Sequence, residues 1–418
     1  MNKPELNLKR SHNLFYGYIV VAAAFLLIIL GYGSRLTIGV FFKPILNEFN
    51  WSRGLTSGAV TLSMLGQGTG AIFMGRLNDR LGPRFVMTLC ASLLGAGYLL
   101  MAMTHSVWQL YLFYGVIIGL GMSGVFTSLL STVTRWFVKR KGLMAGIVSA
   151  GTGIGQLIAP PIANWLISIY DWRLSYIIMG GVVLVFGTVL SQLLKRDYGT
   201  KDVVPYSSRR VEKTNTGFND QGLSVKKAIH TRQYWLIIVT FSSLGYVLMA
   251  INTHLVPHIT DLRIPSSTAA NIFAVCGMFS AIGCFVLGSA ADILGHRRSL
   301  IIYFLVMAAT LFWLTQINTI WLFFLFAILF GLSSGGSVPL ESTIIGDLFG
   351  LKSHGAILGT VTFGFAFGGA LGPLLTGYLF DITASYQMAF LVCAIIASIG
   401  LISCTFIRPI ITGAYDAV

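Results

Sequence analysis

Apolar residues in this chain gather into twelve runs, at 16–43, 54–75, 85–104, 107–134, 142–169, 173–194, 233–257, 268–290, 299–317, 320–346, 354–380 and 385–407. Each is close to the ~20 residues that an α-helix needs to cross ~30 Å of hydrocarbon. The runs are continuously apolar, with no alternation at every second position, so they predict helices and not the strands of a barrel. Numbered in chain order, they are spans 1 to 12 of an all-α integral membrane protein. One long polar stretch interrupts the series, where Arg209, Arg210, Glu212, Lys213, Asn215, Asn219, Asp220 and Gln221 show almost no apolar periodicity. It predicts a linker over 195–232 between an N-terminal six-helix bundle, 1–194, and a C-terminal one, 233–418. The linker reads either as a solvated connection or as a basic segment against anionic headgroups. Span 1 is full length and lacks a small-residue cleavage site, which predicts a retained span and not a removed signal peptide.

With 55% hydrophobic and 10% charged residues and a mean hydropathy of +0.78, the chain has too little polar surface to coat a soluble globule. Its net charge of +14 raises the question of a nucleic-acid partner. The placement of the charge answers it. With the N-terminus in the cytoplasm, every Lys and Arg except Arg35, Lys43, Arg53, Arg173 and Arg263 falls on the inside. This positive-inside asymmetry predicts both termini in the cytoplasm of a multi-pass protein of the cell inner (plasma) membrane, with no nucleic-acid partner. Cys90, Cys276, Cys284, Cys393 and Cys404 all lie in predicted helices, without disulfide or metal-site spacing. Gly119-Leu120-Gly121-Met122-Ser123-Gly124 fits G-x-G-x-x-G but sits inside a span with no strand before it, and no P-loop appears. The expectation is therefore a protein with no cofactor, no metal and no direct use of ATP. It is not an enzyme, because no nucleophile, base and orienting group recur at a shared depth.

The two halves repeat. Gly75-Arg76-Leu77-Asn78-Asp79-Arg80-Leu81-Gly82-Pro83-Arg84 is answered 213 residues later by Gly288-Ser289-Ala290-Ala291-Asp292-Ile293-Leu294-Gly295-His296-Arg297, each a G-x-x-x-D-x-x-G-x-R turn between two spans. Pro44-Ile45-Leu46 answers Pro257-His258-Ile259, Gly119-Leu120 answers Gly331-Leu332, and Pro160 answers Pro373. Two copies with equal span number and orientation are related by an axis along the membrane normal, with a cavity between them.

Over essentially its full length the chain resembles the major facilitator superfamily, whose signature is this pair of turns after spans 2 and 8. The resemblance implies that spans 1, 4, 7 and 10 line a central path. It also implies that the turns, carried by Gly75, Asp79, Arg80, Arg84, Gly288, Asp292 and Arg297, act as cytoplasmic gate latches. Within that superfamily, Trp136-Phe137-Val138-Lys139-Arg140-Lys141-Gly142-Leu143-Met144-Ala145-Gly146, leading into span 5, is similar to the monocarboxylate porter family with its oxalate/formate antiporters. Gly39-Val40-Phe41-Phe42-Lys43-Pro44, Trp51-Ser52-Arg53 and His254-Leu255-Val256-Pro257 are similar to bacterial members of the group. Relatives that carry monocarboxylates commonly have an Arg four residues before the motif glycine of span 8. Here that position is Cys284, and Ser280 precedes it by one turn; span 11 has no Lys.

Candidate chemistry lies inside the spans. Arg35, about five residues (~8 Å) outward of the midpoint of span 1, costs at least ~2.5 kcal/mol in lipid unless it faces water or a partner. Its planar fork fits a carboxylate. It reads as a substrate contact, or as a side chain that snorkels or pairs structurally. His254 can exchange a proton near neutral pH or serve as a passive wall residue. Glu341 can carry a proton or pair with Lys139 or Arg140. Tyr114, Asn252, His254, Ser280, Cys284 and Phe363 complete the expected pocket around Arg35. The reading is a secondary active transporter working as a monomer by alternating access. Its cargo is a small organic anion, a monocarboxylate such as lactate or pyruvate, taken up with protons. The alternatives are an organic-anion exchanger of oxalate/formate type, an efflux carrier of another small solute, and a membrane sensor that signals through the linker.

Overall fold

The structure is a computed structural model that describes residues 16–137, 141–195, 223–337, 340–350 and 354–407; within these, side chains at 72, 79, 134, 135, 141–143, 287–293, 342 and 354–356 are not described. In lipid a backbone must satisfy its own hydrogen bonds, and all the described spans do so as helices. Span 1 runs Tyr16–Leu36 and Ile38–Phe49, broken at Thr37 and ended by Asn50 at φ 53. It therefore extends past the expected 16–43, and Arg35 lies close to its middle instead of well outward. Span 2 is Arg53–Leu81, span 3 Pro83–Met101 and span 4 Val107–Trp136, the last with a π-helical segment at Tyr111–Ile118. Lys141–Ile169 and Trp172–Gln192 are spans 5 and 6. In the second half, Arg232–Asp261, Ser266–Leu294 and His296–Leu314 are spans 7 to 9. Span 10 comprises Ile320–Ser337 and Leu340–Phe349; spans 11 and 12 are His354–Thr383 and Gln387–Phe406. Among the described residues eleven helices are long and apolar enough to cross a membrane. Span 2 is outside that set because Thr, Ser, Gln and Gly dilute its apolar residues, though its 29 residues are ample in length.

The sequence repeat reappears as repeated backbone. Span 2 stops at Gly82 with φ 84, and span 8 at Gly295 with φ 88, each followed at once by the next helix. A residue with a Cβ is strained at such φ, which is why the motif places glycine there. Most of the expected linker lies outside the described residues. Its C-terminal part includes the short helix Val225–Ile229, which touches spans 7 and 11, and just before it the Leu223 amide donates to the Phe349 carbonyl of span 10 at 2.8 Å.

Each half has its own apolar core. One gathers Val20, Leu27, Val86, Leu94, Ile118 and Tyr176; the other gathers Phe241, Ile251, Phe273, Phe304, Phe326 and Phe390. Leu36 and Val40 of span 1 reach across into the second core. The halves meet along two long seams, spans 2 with 11 and spans 5 with 8, and where the second segment of span 1 lies against span 7. Small residues permit the approach: a Cβ on Gly277 would lie 2.6 Å from the Gln156 Cβ, and one on Gly153 2.6 Å from the Gly277 carbonyl. Contacts along the span 2–span 11 seam run from Arg53 to Gly68. Closer to the linker, a Cβ built on Gly75, Gly146 or Gly359 meets nothing within 4 Å. Among the described residues, the contacts between the halves concentrate toward the face bearing Asp261.

The seam geometry sets opposite expectations for two glycines. Gly277→Val should lower thermal stability of the purified protein by about 1–3 kcal/mol of overpacking. Gly359→Ala should leave it equal or slightly higher, since only helix propensity changes. Melting curves of the two variants check both.

Candidate functional site

Arg35 is carried at the break in span 1 and is only 6% exposed. Its Nη1 donates to Oε1 of Gln67, and its Nη2 reaches Ser63 Oγ at 3.4 Å and Met64 Sδ at 2.6 Å. Gln67 Nε2 in turn donates to the Tyr32 hydroxyl at 3.4 Å. All these partners are neutral, and among the described residues no carboxylate lies within ion-pair distance of Arg35. A buried cation costs several kcal/mol unless it is paired. The site is therefore electrically incomplete, with donors fitted to an anion.

Tyr114 meets Arg35, but through the backbone: its hydroxyl donates to the Arg35 carbonyl at 3.5 Å. The π-helical stretch carries this tyrosine into span 1, fully buried beside Tyr98 and Tyr176. Asn252 is half-buried on span 7, and its carbonyl lies 3.0 Å from where a Cβ of Gly39 would be. Ser280 and Cys284 lie on a strip of span 8 between its contact with span 10, at Gly283 and Leu332, and its contact with span 5, at Gly277 and Ala281. Cys284 is a half-buried free thiol. Glu341, near the start of the second segment of span 10, accepts from the Thr362 hydroxyl at 2.7 Å. Phe363, next to Thr362, is half exposed. No described hydrogen bond joins these last four residues to the Arg35 cluster.

His254 belongs to a different cluster, at the face bearing Asp261. It is completely buried; Nε2 lies 3.0 Å from the Pro373 carbonyl and 3.1 Å from Ser57 Oγ, while Nδ1 lies 3.0 Å from the Tyr386 hydroxyl. A carbonyl only accepts, which assigns the hydrogen to Nε2 and leaves Nδ1 to accept from Tyr386. The same phenol oxygen accepts from Arg53 Nη1 at 2.6 Å. Arg53, from the first half, pairs with Asp261 at 2.8 Å and stacks 3.7 Å above the Phe380 ring, both in the second half. Lys43 reaches the other Asp261 oxygen at 2.6 Å. Asp381 accepts from the Arg53 and Gly54 amides at 2.9 and 2.7 Å, so the end of span 11 caps the start of span 2. This is a latch across the two halves.

At the linker face, Gly75 has open space around it, and Arg80 and Arg84 are exposed. Arg297 donates to the Thr405 carbonyl at 2.6 Å, and His296 meets Asp347 at 2.6 Å. Asp79, Gly288 and Asp292 lie in helices at side-chain positions outside the described ones.

The sequence reading missed Gln67, Ser63 and Met64 around Arg35, although a lone amide in an apolar span is itself a signal. It also missed the latch partners Ser57, Asp261, Asp381 and Tyr386. Lys43, Arg53, Asp261 and Asp381 at span ends of one face amount to two charges of each sign, and matching them by face would have found the ion pairs.

Two six-helix halves that meet along long seams, with a buried cation in span 1 and ion pairs across one face, have the architecture of a membrane transporter. A model of the Major Facilitator Superfamily matches residues 24–302 and 255–412, and the chain belongs to that family. It is 28% identical to an uncharacterized MFS-type transporter, YcxA, of Bacillus subtilis, over 87% of this chain and 88% of that one. It is 26% identical to monocarboxylate transporter 12 of Mus musculus, over 94% and 85% respectively. The fold matches a bacterial homologue of the human lysosomal transporter Spinster in an inward-facing and occupied conformation, with a TM-score of 0.75, 16% identity and coverage of 93% and 96%.

The latch makes a quantitative expectation. Arg53→Ala and Asp261→Asn should each destabilise the latched conformation by about 1–3 kcal/mol, and the double variant by clearly less than the sum. Additive losses in a thermal double-mutant cycle would show that Arg53 and Asp261 are not coupled.

Proposed function

We propose that the protein carries a small organic monoanion, a monocarboxylate of lactate or pyruvate type, by alternating access, and that Arg35 holds the carboxylate. The observation behind this reading is the buried guanidinium with neutral partners only. A carboxylate placed there accepts two parallel charge-assisted hydrogen bonds and cancels the charge, so the loaded halves can rock without moving net charge through lipid. The likeness to a protein named monocarboxylate transporter 12 supports the same cargo class. With the orientation read from the basic residues, the latch is extracellular and the linker face cytoplasmic. Both termini are then in the cytoplasm, and the membrane is the cell's inner (plasma) membrane. Tyr114, Asn252, Ser280, Cys284 and Phe363 shape the path, and the paired motif turns close the cytoplasmic side in the opposite state.

Protons accompany the anion in this reading, through His254 or Glu341. Exchange of organic anions is the second reading, favoured by the uncharged pair Ser280 and Cys284 where relatives with monocarboxylate cargo commonly hold an Arg.

Lactate or pyruvate should raise the melting temperature of the purified protein, and Arg35→Ala should abolish the shift while the fold persists. A neutral analogue that works equally well in both proteins would remove the anion reading. In proteoliposomes, uptake should rise as the outside pH falls from about 7.5 to 5.5, the range in which an imidazole gains its proton. Loss of this response in His254→Gln or in Glu341→Gln identifies the carrier of the proton. A response intact in both variants excludes both residues, and acceleration by substrate on the far side without any pH response favours exchange.

A further inference from the structure

Gln67 has no part in the reading above, yet it is the polar group that engages Arg35 most closely. Its amide is turned so that Oε1 accepts from Arg35 Nη1 while Nε2 points away, to the Tyr32 hydroxyl. A carboxamide and a carboxylate share one planar outline, so Oε1 stands where a carboxylate oxygen would stand. The difference is electrical. The amide offers one neutral acceptor, whereas a carboxylate offers two charged ones to the same fork.

We propose that Gln67 occupies the place of the substrate carboxylate on Arg35 in the empty carrier and is displaced when the anion arrives. This inference rests on the reading of Arg35 as the anion ligand. Without Gln67 the buried guanidinium of the empty site would keep only the Ser63 hydroxyl and the Met64 sulfur, both on Nη2, and Nη1 would lose its acceptor. With it, Arg35 keeps a partner weak enough for a carboxylate to replace.

The position of Gln67 gives the exchange a mechanical output. It neighbours Gly68, whose Cβ position lies 3.2 Å from Ala366 of span 11. One turn earlier, Met64 touches Arg35 with its sulfur, and its terminal methyl lies 2.8 Å from a Cβ position on Gly369 of span 11. The Thr61 hydroxyl donates to the Ala370 carbonyl at 2.6 Å. Arg35 thus grips the segment of span 2 that forms the seam with span 11. When an anion takes over the guanidinium, span 2 is released from it, and the seam between the halves loses its anchor in span 1. Gln67 is a positioning residue that couples site occupancy to seam movement.

Thermal shift and titration of the full-length purified protein, with lactate and pyruvate as probes, test this in Gln67→Glu, Gln67→Leu and Arg35→Ala. Gln67→Glu ties a permanent carboxylate to Arg35: it should melt above wild type without ligand and lose the ligand-induced shift. Gln67→Leu removes the competitor and should bind the probes with a dissociation constant roughly 3–10-fold lower than wild type. A Gln67→Glu protein that binds as wild type does, or a Gln67→Leu protein that loses binding as Arg35→Ala does, would overturn the proposal. If Gln67→Glu does not fold, the Gln67→Leu dissociation constant decides alone. Should wild type itself respond to neither probe, the monocarboxylate reading fails, and the ligand-free comparison remains: Gln67→Glu melting no higher than wild type overturns the surrogate role as well.

Discussion

The organisation of this protein turns on one uncompensated charge. At the face bearing Asp261, three cations at span ends have found anions: Lys43 and Arg53 share Asp261, and Arg173 holds Glu48 at 2.5 Å. Those pairs sit at span ends, where water reaches them. Arg35 sits near the middle of span 1, buried, with amide, hydroxyl and thioether neighbours. Evolution could have supplied a carboxylate, and a buried pair of that kind is a common solution. Its absence among the described residues leaves the guanidinium with donors to offer to an anion.

Around that charge the molecule divides its forces by location. Inside each half, large aromatic and aliphatic residues interlock, as at Phe41 stacked 3.9 Å from Tyr176, and such packing resists gradual deformation. Between the halves the contacts are small-residue approaches, a few hydrogen bonds and the Arg53 latch. Interfaces of this composition separate and re-form, while cores do not. His254 illustrates the division. Its ring is held from both sides of the seam, by Ser57 from the first half and by Pro373 and Tyr386 from the second, so it cannot keep all its partners once the halves part at that face.

Much of this was legible in the sequence. Span number, the duplication and the superfamily follow from run length and the repeated turn, because a membrane leaves the backbone few alternatives. Arg35 was legible as chemistry because a charge in an apolar run is costly. Span ends were legible only to within a few residues: the apolar run of span 2 fades well before Leu81, since helix continues into the polar interface as readily as in lipid. What was not legible is partnership. Nothing in the one-dimensional pattern says that Asp381 caps Arg53 across 328 positions, or that His254 faces Tyr386 and not a solute. Such pairings depend on how the two halves dock, and docking is set by shape at the seam.

The π-helical segment of span 4 explains an irregularity in the internal repeat. Most paired landmarks, Gly75 with Gly288, Pro44 with Pro257 and Pro160 with Pro373, stand 213 positions apart, whereas Gly119 and Gly331 stand 212 apart. A π turn closes each hydrogen bond over one residue more than an α turn does. Tyr111–Ile118 ends immediately before Gly119, and the corresponding part of span 10 is α-helical throughout. The first half therefore absorbs one extra residue as a bulge without rotating the helix that follows. An inserted residue in an ordinary helix would have swung everything beyond it by about 100°. Here the ancestral symmetry of the duplicated unit survives on either side of the insertion, and the slack that the insertion created is where Tyr114 turns inward to the backbone of Arg35.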